Sequence, residues 1–554
     1  MILPRPMRKF RAASIAVLIA IAACLFTAPL VAGASDRHDI ERVGVPQIGA
    51  RGVARSTMDI MFEESMHNAD SKGNPRLMNE LEGPERAGLP VNPASPRVAS
   101  VPAMPVEQMV YTPAQKGVPM HEFSPQTLGT NVTVATLSGT FATSSFPPDC
   151  NGAIGPTQFI VAVNGRIATY NKTTGVFDGV LNSTTDVFFT SVRSGSGTSD
   201  PMIRYDRLSG RWFVTIINVS TPNRWLLAVS DAASNGVISA TTVWTYFFFI
   251  PPTTSPTIAN GSTCLADYPS LGIDANALYT GVNEFCGSPT QNYQQSDGFV
   301  IRKSSVLGAG PIVVTAFRNL ATTTAGMWSP RGVDNFDPAA TEGYFLGPDQ
   351  VTLGIMNMFR VTNPGGTPTI SAIIPITVPA TSYAITVPHL GNTNGTNGNL
   401  DALDDRLFEV VMRNQHIFTS HNIGVNNTGV ATGTLTRDAA RWYEFNVPVG
   451  AGTPTIVQSG TVFTANASNV TTDRHYWIPA LMVSGQGHIA MTMSTSGTNE
   501  NVNAATVGRL ATDPLGTMQT PVLTTASASS YNPSSDPGSA TRPRRWGEIG
   551  RAHV

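Results

Sequence analysis

Acidic and polar side chains recur in this sequence in front of short apolar runs, as in the units that begin at Asp149, Asp200 and Asp267. Carboxylate oxygens are ligands that calcium prefers, and two carboxylates flanking a sugar linkage are what glycoside hydrolysis requires. Brought together by folding, these side chains could bind a ligand or act as acid and base. The candidate ligand-binding residues are Asp149, Asn151, Asp200, Asp267, Glu284, Asp337, Asp401, Arg474, His475 and Arg545.

Each candidate also has a structural explanation. An aspartate in front of a strand commonly accepts backbone N–H bonds and fixes the start of that strand. Glu284 stands at the end of a predicted strand, where one carboxylate without a positioned partner does not define a catalytic site. The stretch 392–401 resembles a calcium loop but lacks the terminal glutamate, so we interpret it as a flexible loop. We predict no cofactor, with Ca²⁺ as the alternative.

The spacing of the units indicates how they are positioned. They open at 149, 200, 267, 337, 401, 474 and 545, and the intervals are filled with short β-branched and aromatic runs such as 158–164 and 211–217. Such runs favour strands, and a long period filled with short strands is typical of radial β architectures. We therefore predict an all-β fold, a β-propeller, whose unit openings gather at one mouth of the axis.

Composition excludes several classes of function. Charged residues make up 13% of the 554 residues, below the usual value of about 25%. The net charge is −2 without a basic stripe, so nucleic acid is not an expected partner. The sequence has no zinc-protease His-Glu-x-x-His motif, no Gly-x-Ser-x-Gly elbow and no phosphate-binding loop.

The N-terminus predicts export. Residues 5–11 carry four positive charges, residues 12–32 are apolar, and a small-residue pattern ends at Ala34. We predict a signal peptide, residues 1–34, cleaved after Ala34, with lipidation at Cys24 as the alternative. No second apolar run is long enough to span a bilayer. The mature protein is thus expected outside the cell or in its envelope.

Three further segments follow from composition and cysteine spacing. Residues 35–130 are Pro-rich and are predicted to be a partly disordered linker or pro-segment, with short helices within 57–81. Residues 131–547 form the predicted propeller. In an exported chain Cys264 and Cys286 are a plausible disulfide, although sequence cannot fix their geometry. Cys150 is then left alone, and we favour a small buried residue over a nucleophile.

Several motifs in this order resemble a family of exported bacterial β-propeller proteins. They are Pro147-Pro-Asp-Cys-Asn-Gly-Ala-Ile-Gly-Pro156, Asp200-Pro201 with Tyr205-Asp-Arg207 and Arg211-Trp212, Asp267-Tyr-Pro269 with Val282-Asn-Glu-Phe285, and Gly508-Arg-Leu-Ala511 with Asp513-Pro-Leu-Gly-Thr517. The resemblance covers roughly residues 140–547 and implies a fold and an export route but no reaction. Cys150 departs from it, because the family usually has Thr there.

The resemblance also bears on the C-terminus. Relatives continue after Arg545-Trp546-Gly547 with a complete last blade, whereas here Glu548–Val554 resembles the translation of a sequencing-library adapter. We expect about six blades, the start of a truncated seventh, and an artificial tail. The predicted function is an exported, non-catalytic propeller that binds an extracellular glycan, an envelope component or a protein. The alternative is a glycan-active hydrolase or lyase that uses carboxylates at the axial mouth.

Overall fold

The computed structural model describes residues 40–67, 89–97, 147–259, 261–288, 290–465, 474–534, 536–540 and 542–547. Their strands form six sheets that follow one another along the chain, antiparallel except for one short parallel pair. Each sheet is one blade of a β-propeller, with its first strand nearest the axis. The predicted all-β propeller is confirmed with six blades; a seventh is not among the described residues.

The strands and helices follow in chain order. An N-terminal segment holds β1 (Arg42–Val43), β2 (Gln47–Ile48), β3 (Val53–Ser56) and α1 (Thr57–His67). Blade 1 holds β4 (Asn151–Ile154), β5 (Gln158–Val163), β6 (Arg166–Asn171) and β7 (Phe177–Ser183), followed by α2 (Thr185–Phe188). Blade 2 holds β8 (Thr198–Asp206), β9 (Arg211–Asn218), β10 (Trp225–Ser230) and β11 (Val243–Phe249). Blade 3 holds β12 (Cys264–Asp267), β13 (Gly272–Ile273), β14 (Ala277–Cys286), β15 (Asn292–Arg302), α3 (Lys303–Val306) and β16 (Val313–Thr322).

Blade 4 holds β17 (Arg331–Gly332), β18 (Asp334–Asn335), β19 (Glu342–Pro348), β20 (Ile355–Thr362), β21 (Thr369–Ile370) and β22 (Ile374–Thr377). Blade 5 holds β23 (Val410–Arg413), β24 (His416–Val425), β25 (Arg437–Asn446) and β26 (Thr455–Val462). Blade 6 holds β27 (His475–Val483), β28 (Ile489–Gly497), β29 (Glu500–Arg509) and β30 (Val522–Leu523). The short β18 leaves blade 4 and pairs in parallel with β23 of blade 5.

The core lies between the blades. Since blades 2 to 5 each have a neighbouring blade on both faces, strands such as β10 of blade 2 are buried along their whole length. Five junctions share an apolar cluster: blades 1 and 2 around Trp212, blades 2 and 3 around Phe299, blades 3 and 4 around Phe345, blades 4 and 5 around Tyr443, and blades 5 and 6 around Trp442. Burial of these large side chains supplies most of the driving force that holds the ring together.

The N-terminal segment runs around the outer rim. β1 pairs with β21 of blade 4, β2 with β16 of blade 3, and β3 with β11 of blade 2. Helix α1 starts at a capping box, in which Ser56 Oγ accepts from the Asp59 N–H at 3.1 Å and Asp59 accepts from the Ser56 N–H at 3.0 Å. Residues 42–67, part of the predicted linker, are therefore built into the propeller, and α1 lies within the 57–81 stretch.

Helix α1 is fastened to blade 1 by a buried carboxylate. Glu64 is ion-paired with Arg166 at 3.1 Å and accepts from the Thr184 N–H at 2.8 Å and the Ser183 hydroxyl at 3.2 Å. Ile60 is fully buried in the cluster between blades 1 and 2. The segment thus covers the outer edges of blades 2 to 4, and such edges would otherwise be free to pair with other chains.

A left-handed residue stands where each inner strand starts, and its side chain differs from blade to blade. The six residues are Asp149, Asp200, Tyr268, Ser329, Leu403 and Ile478, with φ of 44°, 61°, 52°, 44°, 60° and 50°. Four of them precede a proline. Non-glycine residues adopt this conformation only when their surroundings hold them there. The feature that repeats at each strand start is therefore a backbone kink with positive φ and not an acidic residue.

Buried asparagines hold three of these kinks. Asn164 Oδ1 accepts the Asp200 N–H at 2.9 Å, and Asn422 Oδ1 accepts the Ile478 N–H at 3.1 Å. Asn283 donates to Ser329 Oγ at 2.8 Å. Each asparagine lies in or directly after the second full-length strand of one blade and binds the start of the next blade, so it sets the position of neighbouring blades.

The predicted disulfide is confirmed. Cys264 and Cys286 are directly opposite on β12 and β14 and are bonded to each other, which is consistent with an extracellular protein. Among the described residues, every helix is too short or too polar to cross a membrane. The predicted signal peptide and its cleavage point, like the alternative Cys24, lie outside the described residues.

Candidate functional site at the propeller axis

The centre of the ring contains a buried ion-pair network. Arg204 of blade 2 contacts Asp334 of blade 4 through Nε at 2.6 Å and Glu409 of blade 5 through Nη2 at 2.7 Å. Asn151 of blade 1 lies beside Glu409 at 3.5 Å. Side chains from four blades can meet only on the axis of the ring, so this network fills the axial channel. We call the buried side chains on the axis the hub, and this network its lower layer. All four side chains are at least 90% buried.

An upper layer lies nearer the starts of the inner strands. Arg331 and Arg406 lie with their guanidinium carbons 5.0 and 4.4 Å from the centre of the Tyr268 ring, close enough for cation–π attraction. Arg406 forms a two-point ion pair with Asp404 at 2.9 and 3.0 Å, and Asp404 also accepts from Trp328 at 2.8 Å. Arg331 precedes Asp334 by three residues, which separates the two layers by roughly 10 Å along the strand.

Two predicted site residues meet between blades 1 and 2. Asn164 donates to Asp149 Oδ2 at 2.6 Å and to the Pro147 carbonyl at 3.1 Å, while its oxygen accepts the Asp200 N–H at 2.9 Å. Ser199 donates to Asp200 Oδ1 at 2.9 Å. Both carboxylates are buried. Their hydrogen bonds fix the kinks at which the inner strands of blades 1 and 2 start.

Other predicted residues also lie at or beside strand starts. Asp267 ends β12 directly before the left-handed Tyr268, and Asp401 accepts the Leu403 N–H at 2.8 Å. Arg474 is bound to Glu500 by two contacts of 2.7 Å. His475 Nδ1 lies 3.0 Å from Asp438, and burial raises the pKa of Asp438.

Of the remaining predicted residues, Asp337 lies elsewhere, while Arg545 belongs to a segment that lies beside Asp401. Asp337 follows β18, so it stands at the far end of the inner strand of blade 4 and accepts the Ala339 N–H at 2.9 Å in a turn. The spacing of the units predicts Asp337 at the axial mouth. Blade 4 instead starts eight positions earlier, at Ser329-Pro330, and Asp337-Pro338 resembles that pair in sequence. The Arg545 N–H donates to Asp536 at 2.7 Å, within a C-terminal segment that pairs at Arg544 with Leu400.

Glu284 belongs to a separate acidic pair inside blade 3. Its carboxyl is fully buried and lies 3.6 Å from Arg318, which donates to Asp297 at 2.5 Å. Neither oxygen of Glu284 has a hydrogen-bond partner. Burial, with the charge of Asp297 adding repulsion, raises the pKa of Glu284 well above its usual value. Glu284 therefore gives up its proton at a higher pH than an ordinary glutamate.

Cys150 directly follows the left-handed residue of blade 1. Its side chain is exposed, yet the surrounding protein desolvates the thiol and, with repulsion from Asp149, raises its pKa to about 12. A thiol with such a pKa is a poor nucleophile at neutral pH, because the thiolate is the reactive form. The expected burial of Cys150 is wrong, since the residue stands at the surface of the mouth.

The hub residues that sequence reasoning missed are Arg204, Asp334, Glu409, Arg331 and Arg406. One signal could have found two of them. Arg204 and Glu409 are charged residues inside otherwise apolar runs, Met202-Ile-Arg-Tyr205 and Leu407-Phe-Glu-Val-Val411. A charge in a strand buried on both faces requires a partner, and an inner strand of a propeller can find that partner across the axis.

No protein-family model matches this chain, and no curated protein is significantly similar in sequence. Among solved structures, a hypothetical selenium-binding protein from Sulfolobus tokodaii is 11% identical with a TM-score of 0.35, over 66% of this chain and 74% of that one. An apocarotenoid oxygenase of Synechocystis is 10% identical with a TM-score of 0.35, over 67% and 70%.

Glycoside hydrolases are also among the similar structures. The catalytic domain of a GH62 α-L-arabinofuranosidase from Coprinopsis cinerea is 10% identical with a TM-score of 0.25, over 64% of this chain and 92% of that domain. At these scores the similarities carry no functional argument. The propeller assignment stands on the six sheets themselves.

Proposed function

We propose that this chain is an exported, non-catalytic β-propeller that binds a glycan, an envelope component or a protein partner at its axial mouth. The observation that carries this proposal is the arrangement of the hub carboxylates. Asp334 and Glu409 both contact the guanidinium of Arg204, at 2.6 and 2.7 Å, and all three side chains are buried. A glycosidase needs two carboxyl groups that reach the substrate on either side of the scissile bond, whereas these two are held in a closed ion-pair network.

The mouth carboxylates support the same proposal. Asp149, Asp200 and Asp401 form hydrogen bonds with local backbone and side-chain groups at strand starts. They act as parts of the scaffold, and a ligand would be recognised by groups that remain exposed around them, such as the side chain of Cys150. Calcium binding receives no added support, because the described residues contain no group of three or more potential metal-ligating acidic, His or Cys side chains.

The experiment uses the full chain. A glycan array and a pull-down from envelope extract measure binding, and a hydrolysis assay on the same polysaccharides measures catalysis. Binding without release of reducing ends supports the proposal. The Cys150→Trp variant, which places a bulky side chain at this exposed position, should lose binding, while the isosteric Cys150→Ser variant should bind normally. Turnover of any polysaccharide that is lost in Glu409→Gln would overturn the non-catalytic proposal.

The second candidate is a glycan-active hydrolase, and one observation favours it. Glu284 and Asp297 are neighbouring carboxyl groups that share Arg318, and burial with repulsion from Asp297 raises the pKa of Glu284. A carboxyl group with a raised pKa, next to a second carboxyl group, is a feature of acid catalysis in glycosidases. The Glu284 side chain is fully buried, so this candidate requires a movement that exposes the carboxyl group to substrate. Hydrolysis that disappears in Glu284→Gln but survives in Glu444→Gln would establish it.

We also propose that the complete ring has a seventh blade between blades 6 and 1. Blade 1 turns an apolar face around Phe159, Val161 and Tyr170 away from blade 2, and this cluster includes no described residue of blade 6. Gly547 lies between the strand starts of the two blades: a side chain there would come within 3.9 Å of Ile478 and 4.0 Å of Asp149. Sequencing the source gene past codon 547 tests this, since a further run of four short strands is required.

A further inference from the structure

The outer edges of the blades are covered in different ways. β1, β2 and β3 pair with the outer strands of blades 4, 3 and 2. In blade 1, α1 bonds the edge strand β7: the Asn182 N–H donates to Met61 Sδ at 3.2 Å, and the Thr184 N–H donates to Glu64 at 2.8 Å. Blade 6 ends in β30, which is only two residues long. Among the described residues, the last strand of blade 5, β26, pairs with β25 alone.

The edge of β26 has the features of a strand that accepts a partner. Its eight residues contain no charged side chain and no proline, which are two common means of preventing pairing at an edge. Thr455 and Val457 are exposed, and Ile456 is half-buried. Val457 forms a bulge in the pairing with β25, and a bulge interrupts a regular edge. Thr455 and Ile456 remain available, and β1 and β2 also pair over two residues each.

The N-terminal segment passes the blades in a regular order. From α1 toward the N-terminus, it contacts blade 1, then blades 2, 3 and 4, so blade 5 is next. Its strands start at residues 53, 47 and 42, which are six and five positions apart. One further step of five positions leads to Arg37 and His38, which lie outside the described residues. The chain upstream of β1 is therefore long enough to reach blade 5.

Blade 5 offers the register that the segment already uses at blades 2 and 3. β2 lies opposite the first two residues of β16, with Gln47 opposite Val314 and Ile48 opposite Val313. β3 lies opposite the first four residues of β11. β11, β16 and β26 are the last strands of their blades, and each starts on the face opposite the axial mouth because consecutive strands run antiparallel. A segment that follows this rim reaches β26 at its first residues.

We propose that Arg37 and His38 of this chain add a short strand to the outer edge of blade 5. In the register of β2, Arg37 lies opposite Ile456 and His38 opposite Thr455. The N-terminal segment then covers an edge of every blade from 5 to 1, and blade 5 needs no partner protein there. With the predicted cleavage after Ala34, the mature N-terminus lies on the face opposite the axial mouth.

Hydrogen exchange of the full chain tests this pairing. An edge amide bonded to a neighbouring strand exchanges slowly, and one bonded only to water exchanges fast. The outward-facing amide within residues 455–457 should therefore be protected in the parent chain. Changing both Arg37 and His38 to Pro removes the two N–H donors and should abolish this protection, with no change at residues 313–314 of blade 3. Changing both to Ala keeps the backbone donors and should keep the protection.

A cross-link gives a second readout. In the Cys150→Ser background, His38→Cys combined with Thr455→Cys should form a disulfide within one chain, whereas His38→Cys combined with Thr369→Cys of blade 4 should not. Fast exchange at residues 455–457 in the parent would show that the edge is open and the proposal is wrong. Protection that survives the double proline variant would overturn it too. If that protection also grows with protein concentration, the edge is covered by a second copy of the chain.

Discussion

Arg204 and Glu409 come from blades 2 and 5, on opposite sides of the ring, and their side chains meet at 2.7 Å on the axis. They are 205 residues apart in the sequence. Because Asp334 joins the same guanidinium at 2.6 Å, three blades are tied at one point. The hub therefore joins blades on opposite sides of the ring, and loss of its ion pairs should lower the stability of the whole protein.

Replacing Arg204 with Met should destabilise the protein by about 3–5 kcal/mol, because two buried carboxylates lose their counter-charge. Urea unfolding of the two proteins measures the loss. Arg207→Met, three residues further along and exposed, serves as the control and should change stability by no more than about 0.5 kcal/mol. Equal stability of Arg204→Met and the parent chain would mean that the hub network contributes nothing net.

Glu64 should be the residue that fastens the N-terminal segment. The Glu64→Ala change leaves Arg166 and the Thr184 N–H without their buried partner, and we expect a loss of about 3 kcal/mol. Cleavage between residues 42 and 67 in limited proteolysis should become much faster. Glu63→Ala is the matched control, because its ion pair with Arg55 is partly exposed and such pairs contribute at most about 1 kcal/mol. Similar proteolysis of both variants would argue against a fastening role.

The Asn422 side chain should be required for the junction of blades 5 and 6. It donates to the carbonyls of Ala402 and Asp404 at 2.7 and 3.2 Å and accepts the Ile478 N–H at 3.1 Å. Asn422→Ala leaves these buried backbone groups unpaired, which should cost about 3 kcal/mol. Thermal unfolding measures this against Asn501→Ala, whose single bond to Ser527 is exposed. A shift no larger than that of the control would contradict the prediction.

The sequence predicted the class of fold because strand composition and the long period are local signals. The same period placed Asp149 and Asp200 at strand starts but selected Asp337 in place of Ser329 in blade 4. The repeated feature is a left-handed backbone position, which the varied side chains at these positions do not reveal. Contacts such as Arg204 with Glu409 depend on ring closure over 205 residues, and β1 and β2 are two residues long, too short for any periodic pattern.

The raised pKa of Glu284 should make stability depend on pH in a defined direction. Burial raises the pKa of Glu284 in the folded protein above that of the unfolded chain. The unfolded chain therefore releases this proton first as pH rises, so the contribution is complete below about pH 4.3. It declines by up to about 1.4 kcal/mol per pH unit until the pKa of the folded state is passed. Glu284→Gln keeps the neutral form at every pH and should be more stable than the parent at neutral and alkaline pH.

Urea unfolding of both proteins between pH 4 and pH 9 measures this difference. The two stability curves should converge at the acidic end, where Glu284 is neutral in both states, and separate as the pH rises. Glu444→Gln, which removes a partly exposed partner of His416, controls for the loss of one negative charge. Curves for Glu284→Gln and the parent that stay parallel over this range would mean that Glu284 is ionised in the folded protein. Arg318 would then have to neutralise both Glu284 and Asp297, and the carboxyl pair could not supply an acid to any substrate.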